Sequence, residues 1–484
     1  MLALLLACAG DKGEPAPAGD TATSTELVAW ASVPGAPADA LGNAVRDAGD
    51  LDGDGEDDLL VAAYLGNRVC ALFGPLTGGS VALDAREPAC LFGELDTDYA
   101  GYGMTAAPDL SGDGLADVVV GSIGNAEVGA NAGKVYLLAG PLASETTTLD
   151  LAADAAWLGE TAGDYAGVAL EAAADLTGDG AADLLIGASG YDGEGGGGGR
   201  AYVVAGPISG DRHSLADAAA SITGLGAPAL PVDTGDTGVP APPPHGAFGT
   251  GDFVGDAMAG DRDLDGDGLA DLALGASGDQ TAGLNAGKVA VFLGPVAAGA
   301  WSVTDADRTL YGSTEGAYAG SPLRGVPDLD GDGLDDLLVS ADAIGAGQVY
   351  LVSPTLSEDS ISGASRLRFE GVASGDLFGY ALSSAVDVDG DGVADLAISA
   401  PWAEIDGEEA GGVWLFHGPF EAGVMEAGSA RAVYGAVEGD AFGSAVALAA
   451  DLGGEDGPDL VVGARNDRTA GGFAGAVYLF DVGG

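Results

Sequence analysis

Short segments in which Asp and Gly alternate are the part of this sequence best suited to chemistry. The first, residues 50–58, reads Asp-Leu-Asp-Gly-Asp-Gly-Glu-Asp-Asp. Carboxylates at positions 1, 3, 5 and 9 can converge on one cation, position 7 can add a backbone carbonyl, and Gly at positions 4 and 6 permits sharp bends. An all-oxygen, multi-carboxylate cage suits Ca²⁺ better than Mg²⁺, because Ca²⁺ accepts six to eight ligands. The pattern therefore predicts a calcium-binding loop.

Six copies of the loop are nearly identical, and we expect one Ca²⁺ in each, about six in all. Ser111 and Thr177 replace Asp at position 3 of copies 2 and 3. A seventh copy, 451–459, has Gly453 at position 3, Glu455 at position 5 and Asp456 at position 6, and weak or no binding is expected there. The predicted ligands, with position 7 acting through its carbonyl, are Asp50, Asp52, Asp54, Glu56, Asp58, Asp109, Ser111, Asp113, Leu115, Asp117, Asp175, Thr177, Asp179, Ala181, Asp183, Asp263, Asp265, Asp267, Leu269, Asp271, Asp328, Asp330, Asp332, Leu334, Asp336, Asp387, Asp389, Asp391, Val393 and Asp395.

The loops have two other interpretations. An EF-hand requires Glu at position 12 and flanking helices, whereas position 12 here is apolar and lies in a strand-like run. Acidic turns without a metal are the second alternative, since Asp and Gly dominate turns in general. Calcium binding is favoured because the loop recurs in six near-identical copies. It is also favoured because carboxylates brought this close repel one another without a cation. The residues at position 12 are Val61, Val120, Ile186, Leu274, Val339 and Ile398.

The loops recur at regular intervals. Their starts at 50, 109, 175, 263, 328, 387 and 451 are separated by 59, 66, 88, 65, 59 and 64 residues. Every copy has Gly eight residues before its first Asp, and six of the seven have Asp eleven residues before it. The chain therefore contains seven repeats, one of which carries an insertion.

Each repeat contains the pattern of four short strands. An apolar run such as 58–63 or 117–122 follows the loop, a further strand such as 135–139 often ends at Gly-Pro, and a last strand ends on an apolar residue before Gly. Seven such units predict an all-β fold, a seven-bladed β-propeller of four-stranded blades with calcium-binding loops. The last unit lacks its fourth strand, and we expect Glu26 to Val33 to supply it.

The repeat resembles the FG-GAP family, the calcium-binding blade of integrin alpha-chain propellers and of many bacterial surface proteins. Matching residues are Phe378-Gly379, Phe442-Gly443, the looser Tyr99-Ala-Gly101, the Asp loops, Gly187-Ala188 and Ser399-Ala400-Pro401. The resemblance covers roughly 26–484. It implies that the loops lie on one propeller face and that the ions stiffen blades whose opposite face binds ligands. The family also occurs beside phospholipase domains.

Charge and composition narrow the partners. The chain carries 75 Asp+Glu against 16 Lys+Arg, a formal net charge of -59. Nucleic acid and anionic lipid need clustered basic side chains, so neither is an expected partner. Hydrophobic residues make up 47% of the chain, enough for a large core. Three His and three Cys are too few for a zinc ribbon or an iron–sulfur protein.

The N-terminus and the cysteines bear on location. Residues 1–8 end an apolar run at Cys8 and resemble a truncated lipoprotein lipobox, which implies lipidation of Cys8; a chance apolar start is the alternative. Residues 9–25 have the composition of a flexible tether. Cys70 and Cys90 form a disulfide or remain two buried thiols. Residues 225–250, rich in Pro, Gly and Thr, are expected to form an extruded loop within the propeller of 26–484.

The leading hypothesis is a non-enzymatic, calcium-stabilised propeller for adhesion or for binding a protein or glycan. It would be a monomer, lipid-anchored in the cell envelope or secreted, and would meet the membrane only through its lipid. The alternative is a glycoside-active enzyme that uses an acidic pair in a central pocket; a purely structural envelope protein is a third. His213, His245 and His417 are scattered, and the sequence contains no Gly-x-Ser-x-Gly, His-Glu-x-x-His or Cys-x-x-Cys motif.

Overall fold

The apolar runs after the acidic loops are buried β-strands in the computed structural model. All six residues of Asp58–Ala63, Asp117–Ser122 and Asp183–Ala188 are buried. Such continuous burial is expected of strands that lie between two neighbours and are covered on both faces. The structure describes residues 29–76, 78–81, 89–142, 146–192, 197–210, 212–226, 251–355, 358–405, 407–449, 451–453 and 457–483. Cys8, the tether 9–25 and residues 227–250 of the predicted inserted loop lie outside these ranges.

Seven antiparallel sheets form the blades of a β-propeller, as predicted. Leu382 and Val386 take the inner-strand position of the sixth blade through single bridges to Ile398 and Asp395. The inner strands of the other six are Leu41–Gly49, Ala100–Ala107, Leu170–Ala173, Met258–Arg262, Leu323–Val326 and Phe442–Ala449. The second strands are Asp58–Ala63, Asp117–Ser122, Asp183–Ala188, Asp271–Ala276, Asp336–Ala341, Leu396–Ala400 and Asp459–Ala464.

The remaining strands complete the blades toward the rim. The third strands are Arg68–Leu72, Lys134–Leu138, Arg200–Val204, Lys288–Phe292, Gln348–Val352, Gly412–Phe416 and Ala476–Asp481. The outer strands of blades 1 to 6 are Ala89–Phe92, Ala155–Leu158, Ala220–Thr223, Arg308–Tyr311, Ser365–Glu370 and Arg431–Tyr434. A short hairpin, Glu404–Ile405 with Glu408–Glu409, projects from the sixth blade. Helix in the described residues is limited to Leu149–Ala152 and the 3₁₀ turns Leu215–Asp217, Val303–Asp305 and Ala427–Ser429.

The outer strand of the seventh blade comes from the beginning of the described chain. Ala31–Pro34 pairs antiparallel with Ala476–Asp481, with Val33 opposite Val477. These residues overlap the segment that the sequence predicts as the missing fourth strand. The two ends of the propeller are therefore joined within one sheet.

Five outer strands gain a parallel partner that was not predicted. In each case the partner is the chain between the third and outer strands of the following blade, so Gly79–Ser80 of the first blade pairs with Ala31–Pro34 of the seventh. This addition covers a sheet edge that would otherwise present unpaired backbone groups. The other added strands are Thr147–Thr148, Arg212–Ser214, Gly299–Ser302 and Gly423–Glu426.

The hydrophobic core is divided into seven clusters, each shared by two adjacent blades. One joins Val461 and Leu479 of the seventh blade to Leu41 and Val61 of the first. Because the seventh and first blades share a cluster like the other neighbours, the ring is closed by packing as well as by strand pairing. Burying these apolar side chains is the main favourable term in assembling the ring.

The Gly that lies eight residues before the first Asp of each loop, here called the phase-locked Gly, allows adjacent blades to approach closely. Gly167 has φ +90°. A Cβ added to Gly167 would lie 2.9 Å from Cα of Gly121 in the preceding blade. Any larger residue there would combine a strained backbone with a clash. The Asp that lies eleven residues before the first Asp of the loop has a separate role. In the third repeat this residue, Asp164, accepts the backbone N–H groups of Glu160 and Thr161 and so caps a turn.

Candidate metal centres

The acidic loops all connect an inner strand to a second strand and therefore lie on one face of the propeller. Position 9 is the first residue of the second strand, as in Asp58, or immediately precedes it, as in Asp395. Position 1 directly follows the inner strand in the first blade, where Gly49 ends the strand and Asp50 begins the loop. The loop is thus held at both ends by the antiparallel pairing of the two strands.

Position 1 organises the backbone of each of the six loops. Oδ1 of Asp50 accepts the N–H of Gly53 at 2.6 Å, and Oδ2 accepts the N–H of Gly55 at 2.9 Å. Gly53 and Gly55 have φ values of +85° and +95°, which favour Gly over any other residue. The other five loops repeat these bonds from Asp109, Asp175, Asp263, Asp328 and Asp387.

Position 9 ties the loop to the turn after the third strand. Oδ2 of Asp58 accepts the N–H of Leu51 at 2.7 Å, and Oδ1 accepts the N–H of Gly74 at 2.8 Å. Burial raises the pKa of Asp58 to about 6, against the lowering effect of those N–H groups. In the fifth loop Ser353 replaces the Gly, and its hydroxyl donates to Asp336 Oδ1 at 2.8 Å. Equivalent backbone bonds hold Asp117, Asp183, Asp271 and Asp395.

Carboxylates converge in four loops. In each, three side chains present oxygens that all lie within 4.8 Å of one another. Ionised carboxylates at this spacing repel one another and favour a bound cation. The groups contain position 9 in the first and fourth loops but position 5 in the fifth and sixth, so Asp54 and Asp267 lie outside them. They are Asp50, Asp52 and Asp58; Asp263, Asp265 and Asp271; Asp328, Asp330 and Asp332; and Asp387, Asp389 and Asp391.

The second and third loops show their fit to a cation differently. The hydroxyl oxygens of Ser111 and Thr177, at position 3, are buried and have no hydrogen-bond partner among the described residues. A buried hydroxyl without a partner is costly. Both oxygens stand where the other loops place a carboxylate, so a cation coordinated there would satisfy them.

The backbone N–H of position 7 donates a hydrogen bond to the carboxylate of position 5. The N–H of Glu56 donates to Asp54 Oδ1 at 2.9 Å, and the same bond to position 5 recurs at Leu115, Ala181, Leu269, Leu334 and Val393. The bond fixes the peptide at this position in every loop. Coordination by its carbonyl oxygen stays a prediction.

A positively charged arginine side chain contacts the fifth loop. Nη1 of Arg366, on the outer strand of that blade, lies 3.4 Å from Asp330 Oδ2, and Nη2 lies 3.7 Å from Asp332 Oδ2. Sequence reasoning missed this residue, because Arg366 is 30 or more residues from the loop along the chain. Its guanidinium partly offsets the charge that would attract a metal ion.

The sixth loop contains an imidazole. Nδ1 of His417 lies 3.5 Å from Asp389 Oδ2 and 3.4 Å from Asp395 Oδ2. His417 directly follows the third strand Gly412–Phe416, and no ligand role was predicted for it from the sequence. In the seventh loop, Glu455 and Asp456 lie outside the described residues, so the expectation of weak binding there stays a prediction.

The opposite face holds a cluster of aromatic and basic side chains. Nη1 of Arg465 donates to the hydroxyl of Tyr380 at 2.7 Å, and its guanidinium lies 5.5 Å and 5.7 Å from the ring centres of Tyr380 and Trp402. Tyr64 and Tyr102 form a second, edge-to-face pair, 5.8 Å between centroids. Tyr64, Tyr380, Trp402 and Arg465 belong to connections on the face opposite the acidic loops, and Tyr102 lies near the start of the inner strand Ala100–Ala107. No repeat position signalled them in the sequence.

Basic residues at the start of several third strands form ion pairs near the same face. Nζ of the buried Lys288 lies 2.8 Å from both Asp252 and Asp279, and Lys134 contacts Glu94 and Glu127. Arg68 pairs with Asp39. A basic residue begins the third strand in the first four blades, a recurrence that the sequence already contained. The pairs of Arg68, Lys134 and Lys288 connect the start of a third strand to the segment that precedes the inner strand of the same blade.

A cavity of about 240 Å³ lies at the centre of the ring. Its lining includes Asp47 and Glu171, together with Arg46 from the same inner strand as Asp47 and Arg324 from the inner strand of the fifth blade. Burial raises the pKa of Glu171, and the two arginines lower it. The lining of the central cavity therefore contains two acidic residues and two arginines.

A disulfide joins Cys70 and Cys90. They lie directly opposite each other on the third and outer strands of the first blade. Within the described residues, no helix has both the length and the apolar character to cross a membrane.

Comparison with known proteins assigns the repeat. Residues 166–204 and 378–416 match the FG-GAP repeat family. The chain therefore contains FG-GAP repeats. The first match includes the third acidic loop with its flanking strands, and the second includes the sixth loop and ends at Phe416, beside His417. The FG-GAP matches thus coincide with the strand–loop–strand unit that positions the predicted ligands.

Relatives of the FG-GAP propeller include integrin alpha chains. Integrin alpha-PS2 of Drosophila melanogaster is 33% identical over 220 residues, 42% of this chain and 14% of its own. Integrin alpha-IIb of Homo sapiens is 36% identical over 149 residues, 28% of this chain and 14% of its own. Phosphatidylinositol-glycan-specific phospholipase D of Rattus norvegicus is 33% identical over 166 residues, 32% of this chain and 19% of its own. The matched part thus spans less than a fifth of each relative.

Two solved structures align with nearly the whole chain. BBS1N, in a complex with ARL6DN, covers 94% of this chain and 97% of its own with a TM-score of 0.48 and 11% identity. The Dos1 propeller covers 96% and 93% with a TM-score of 0.43 and 9% identity. Together the repeat and integrin matches support an integrin-alpha-like FG-GAP β-propeller.

Proposed function

We propose that this protein is a non-enzymatic, calcium-stabilised FG-GAP propeller that mediates adhesion or binds a protein or glycan at the cell surface. The observation that carries the proposal is the recurrence of one loop geometry in six blades. Four of these loops bring carboxylates together, and two leave a buried hydroxyl without a partner among the described residues. The resemblance to integrin alpha chains supports the adhesive role.

Calcium fits the donor set of the loops. The carboxylates, hydroxyls and carbonyls at positions 1, 3, 5, 7 and 9 are hard oxygen ligands of the kind that Ca²⁺ prefers. Ca²⁺ at six loops would supply twelve positive charges to a chain of formal net charge -59, relieving part of its self-repulsion. The ion would thus stabilise the fold and take no part in a reaction.

The ligand is proposed to bind on the face opposite the acidic loops. That face presents Tyr380, Trp402 and Arg465, all half-buried. Partly exposed aromatic and Arg side chains are enriched where proteins bind partners. A monomer, lipid-anchored through Cys8 or secreted, would leave this face accessible; Cys8 itself lies outside the described residues.

The central cavity bears on the enzymatic alternative. A glycosidase needs a carboxylic acid and a second carboxylate at a defined separation. Asp47 and Glu171 line the cavity, but each shares it with Arg46 and Arg324. We therefore retain the binding role as the proposal. Turnover of a polysaccharide by the wild-type chain and its loss in Glu171→Gln would contradict that role.

The first experiment is thermal unfolding of the calcium-loaded chain in millimolar Ca²⁺ and in excess chelator, with bound metal counted. The proposal predicts about six calcium ions per chain and a lower melting temperature after chelation. No bound calcium and an unchanged melting temperature would contradict it.

Ligand binding requires a separate experiment. Immobilised propeller is tested against purified surface proteins and polysaccharides, with Trp402→Ala as the test variant. Leu151→Ala is the control, since Leu151 is 79% exposed and lies outside the proposed face. Loss of binding in the Trp402 variant alone would support the assigned face. Equal binding by both variants would contradict it.

A further inference from the structure

We propose that the sixth loop is a mixed nitrogen–oxygen site that binds Zn²⁺ in preference to Ca²⁺, with His417 as the nitrogen ligand. The inference rests on the proposed metal binding of the acidic loops and distinguishes one of them from the others. Its ligands would be Asp389, Asp395 and His417, which form a group with all contacting atoms within 4.8 Å of one another.

The imidazole faces two carboxylates without a hydrogen bond to either. Nδ1 of His417 lies 3.5 Å from Asp389 Oδ2 and 3.4 Å from Asp395 Oδ2. This nitrogen is buried and has no hydrogen-bond partner among the described residues. Distances of this size are too long for a good N–H···O bond. The nitrogen is therefore placed beside the two oxygens, with its bonding capacity unused.

The same distances fit a shared metal ion. Tetrahedral Zn²⁺, with bonds of about 2.0 to 2.2 Å, separates neighbouring ligand atoms by about 3.3 to 3.6 Å. Oxygens at similar spacing could also bind Ca²⁺, so the donor type decides the preference. Imidazole nitrogen is a ligand that Zn²⁺ favours and that calcium sites, built from oxygen, do not use.

Asp395 is held in place for such a role. Its Oδ2 accepts the N–H of Val388 at 2.9 Å, and its Oδ1 accepts the N–H of Gly418 at 2.9 Å. Gly418 directly follows His417, so one turn positions both the carboxylate and the imidazole. Hydrogen bonds to a ligating carboxylate orient it and strengthen metal binding.

The other five loops supply an internal comparison. The residue that precedes the Gly or Ser of this turn is apolar in all of them: Phe73, Ala139, Ala205, Leu293 and Val352. Among these six loops, within the described residues, the sixth alone places an imidazole nitrogen beside its carboxylates. Asp389 also belongs to the oxygen group with Asp387 and Asp391. Because both groups need Asp389, Zn²⁺ and Ca²⁺ would compete for this loop.

The test is calorimetric titration of the metal-stripped chain with Zn²⁺, with and without millimolar Ca²⁺, and with bound metal counted. The variant is His417→Leu, since Leu occupies the same position in the fourth loop. We expect one Zn²⁺ per wild-type chain, retained in the presence of Ca²⁺, and binding weakened by more than about 100-fold in the variant. Equal Zn²⁺ binding by both chains, or none by the wild type, would overturn the proposal.

The reverse variant, Leu293→His, tests whether the position is sufficient. It should add a second Zn²⁺ at the fourth loop, and Co²⁺ used as a probe should show stronger visible absorption with each site gained. Failure to gain it would count against the shared loop geometry. About six Ca²⁺ without His417-dependent Zn²⁺ would refute this inference and leave the proposed function standing; His417-dependent Zn²⁺ without Ca²⁺ binding would do the opposite.

Discussion

The indole nitrogen of Trp30 donates a hydrogen bond of 2.9 Å to Oδ1 of Asp459, 429 residues away along the chain. Asp459 begins the second strand of the seventh blade, and its Oδ2 accepts the N–H of Leu452 at 2.9 Å. In the first blade the oxygen equivalent to the one bound by Trp30 accepts the N–H of Gly74. Trp30 thus replaces a local turn contact with one that joins the two ends of the propeller.

Replacing Trp30 with Phe should weaken the closure of the ring. The variant leaves a buried carboxylate oxygen without its donor, a loss of about 1 to 3 kcal/mol in the free energy of unfolding. Urea unfolding measures it. Trp301→Phe is the matched control, because its indole nitrogen donates at 2.9 Å to the carbonyl of Ala297 at an exposed position. Equal losses in the two variants would contradict the role of Trp30.

Asp263→Asn should remove one calcium ion from the fourth loop. Asp263 contributes an oxygen to the carboxylate group and also accepts the N–H groups of Gly266 and Gly268. At an extracellular-type Kd, one site stabilises the fold by roughly 0.4 to 1.4 kcal/mol in millimolar Ca²⁺. Metal counting and melting in Ca²⁺ measure both effects. The control is Asp217→Asn, an exposed acid in a 3₁₀ turn, which should keep every ion.

Arg366→Gln should strengthen calcium binding at the fifth loop. The variant removes a positive charge that lies 3.4 Å from Asp330 Oδ2, so an incoming cation meets less repulsion. We expect affinity to rise several-fold at low salt and less at high salt. Competition with a chromophoric chelator measures it. Arg368→Gln is the control on the same strand, because Arg368 pairs with Glu370 at 2.6 Å; a similar gain there would rule out a local effect.

Removing the disulfide should lower stability. Cys70 and Cys90 are 20 residues apart, and a cross-link of that span contributes about 3 kcal/mol by restricting the unfolded chain. Urea unfolding of a Cys70→Ala/Cys90→Ala variant should show this loss, and reductant should destabilise the wild type but not the variant. If reductant leaves the wild type unchanged, the bridge makes no contribution to stability.

The stability of the calcium-free protein should fall as pH rises toward 7 because of Asp440. Burial, with Asp467 nearby, raises the pKa of Asp440 to about 7 from 3.8, while Arg468 opposes the shift. The folded state therefore favours the protonated acid, and its stabilisation is complete below about pH 4 and lost as pH rises through 7. Asp440→Asn should be more stable than the wild type at pH 8, by at most about 4 kcal/mol, with a smaller gain at pH 5. Unfolding in chelator measures this, and Asp217→Asn should show no such trend.

The blade architecture could be predicted from the sequence because each repeat contains local signals that mark where its strands begin and end. The Asp–Gly loop marks the passage from inner to second strand, and the phase-locked Gly marks the start of the inner strand, where Gly167 must approach Gly121. The missing fourth strand of the last repeat pointed to closure by the beginning of the propeller, and Ala31–Pro34 provides it. Local chemistry and spacing were sufficient for these features.

Contacts between distant segments were not accessible in this way. The added strand Gly79–Ser80 has only two residues and pairs with a different blade, so it leaves no periodic signal. Arg366 and His417 reach the loops from the outer and third strands, and their distance from Asp330 and Asp389 depends on how the blade packs. Aligning the residues before each Gly-Pro turn would have shown that His417 replaces an apolar residue.

The strand exchange at Ala31–Pro34 sets an order on the maturation of this protein. During synthesis Ala31–Pro34 is the first strand of the propeller to be made, yet its partner, Ala476–Asp481, is the last strand of the propeller to be made. The segment must therefore stay unpaired while six blades are completed, and a nascent chain that stops early presents an open sheet edge to other proteins. Completion of the ring thus requires that synthesis has passed the third strand of the seventh blade, and chaperones or proteases could distinguish closed from open propellers by this edge.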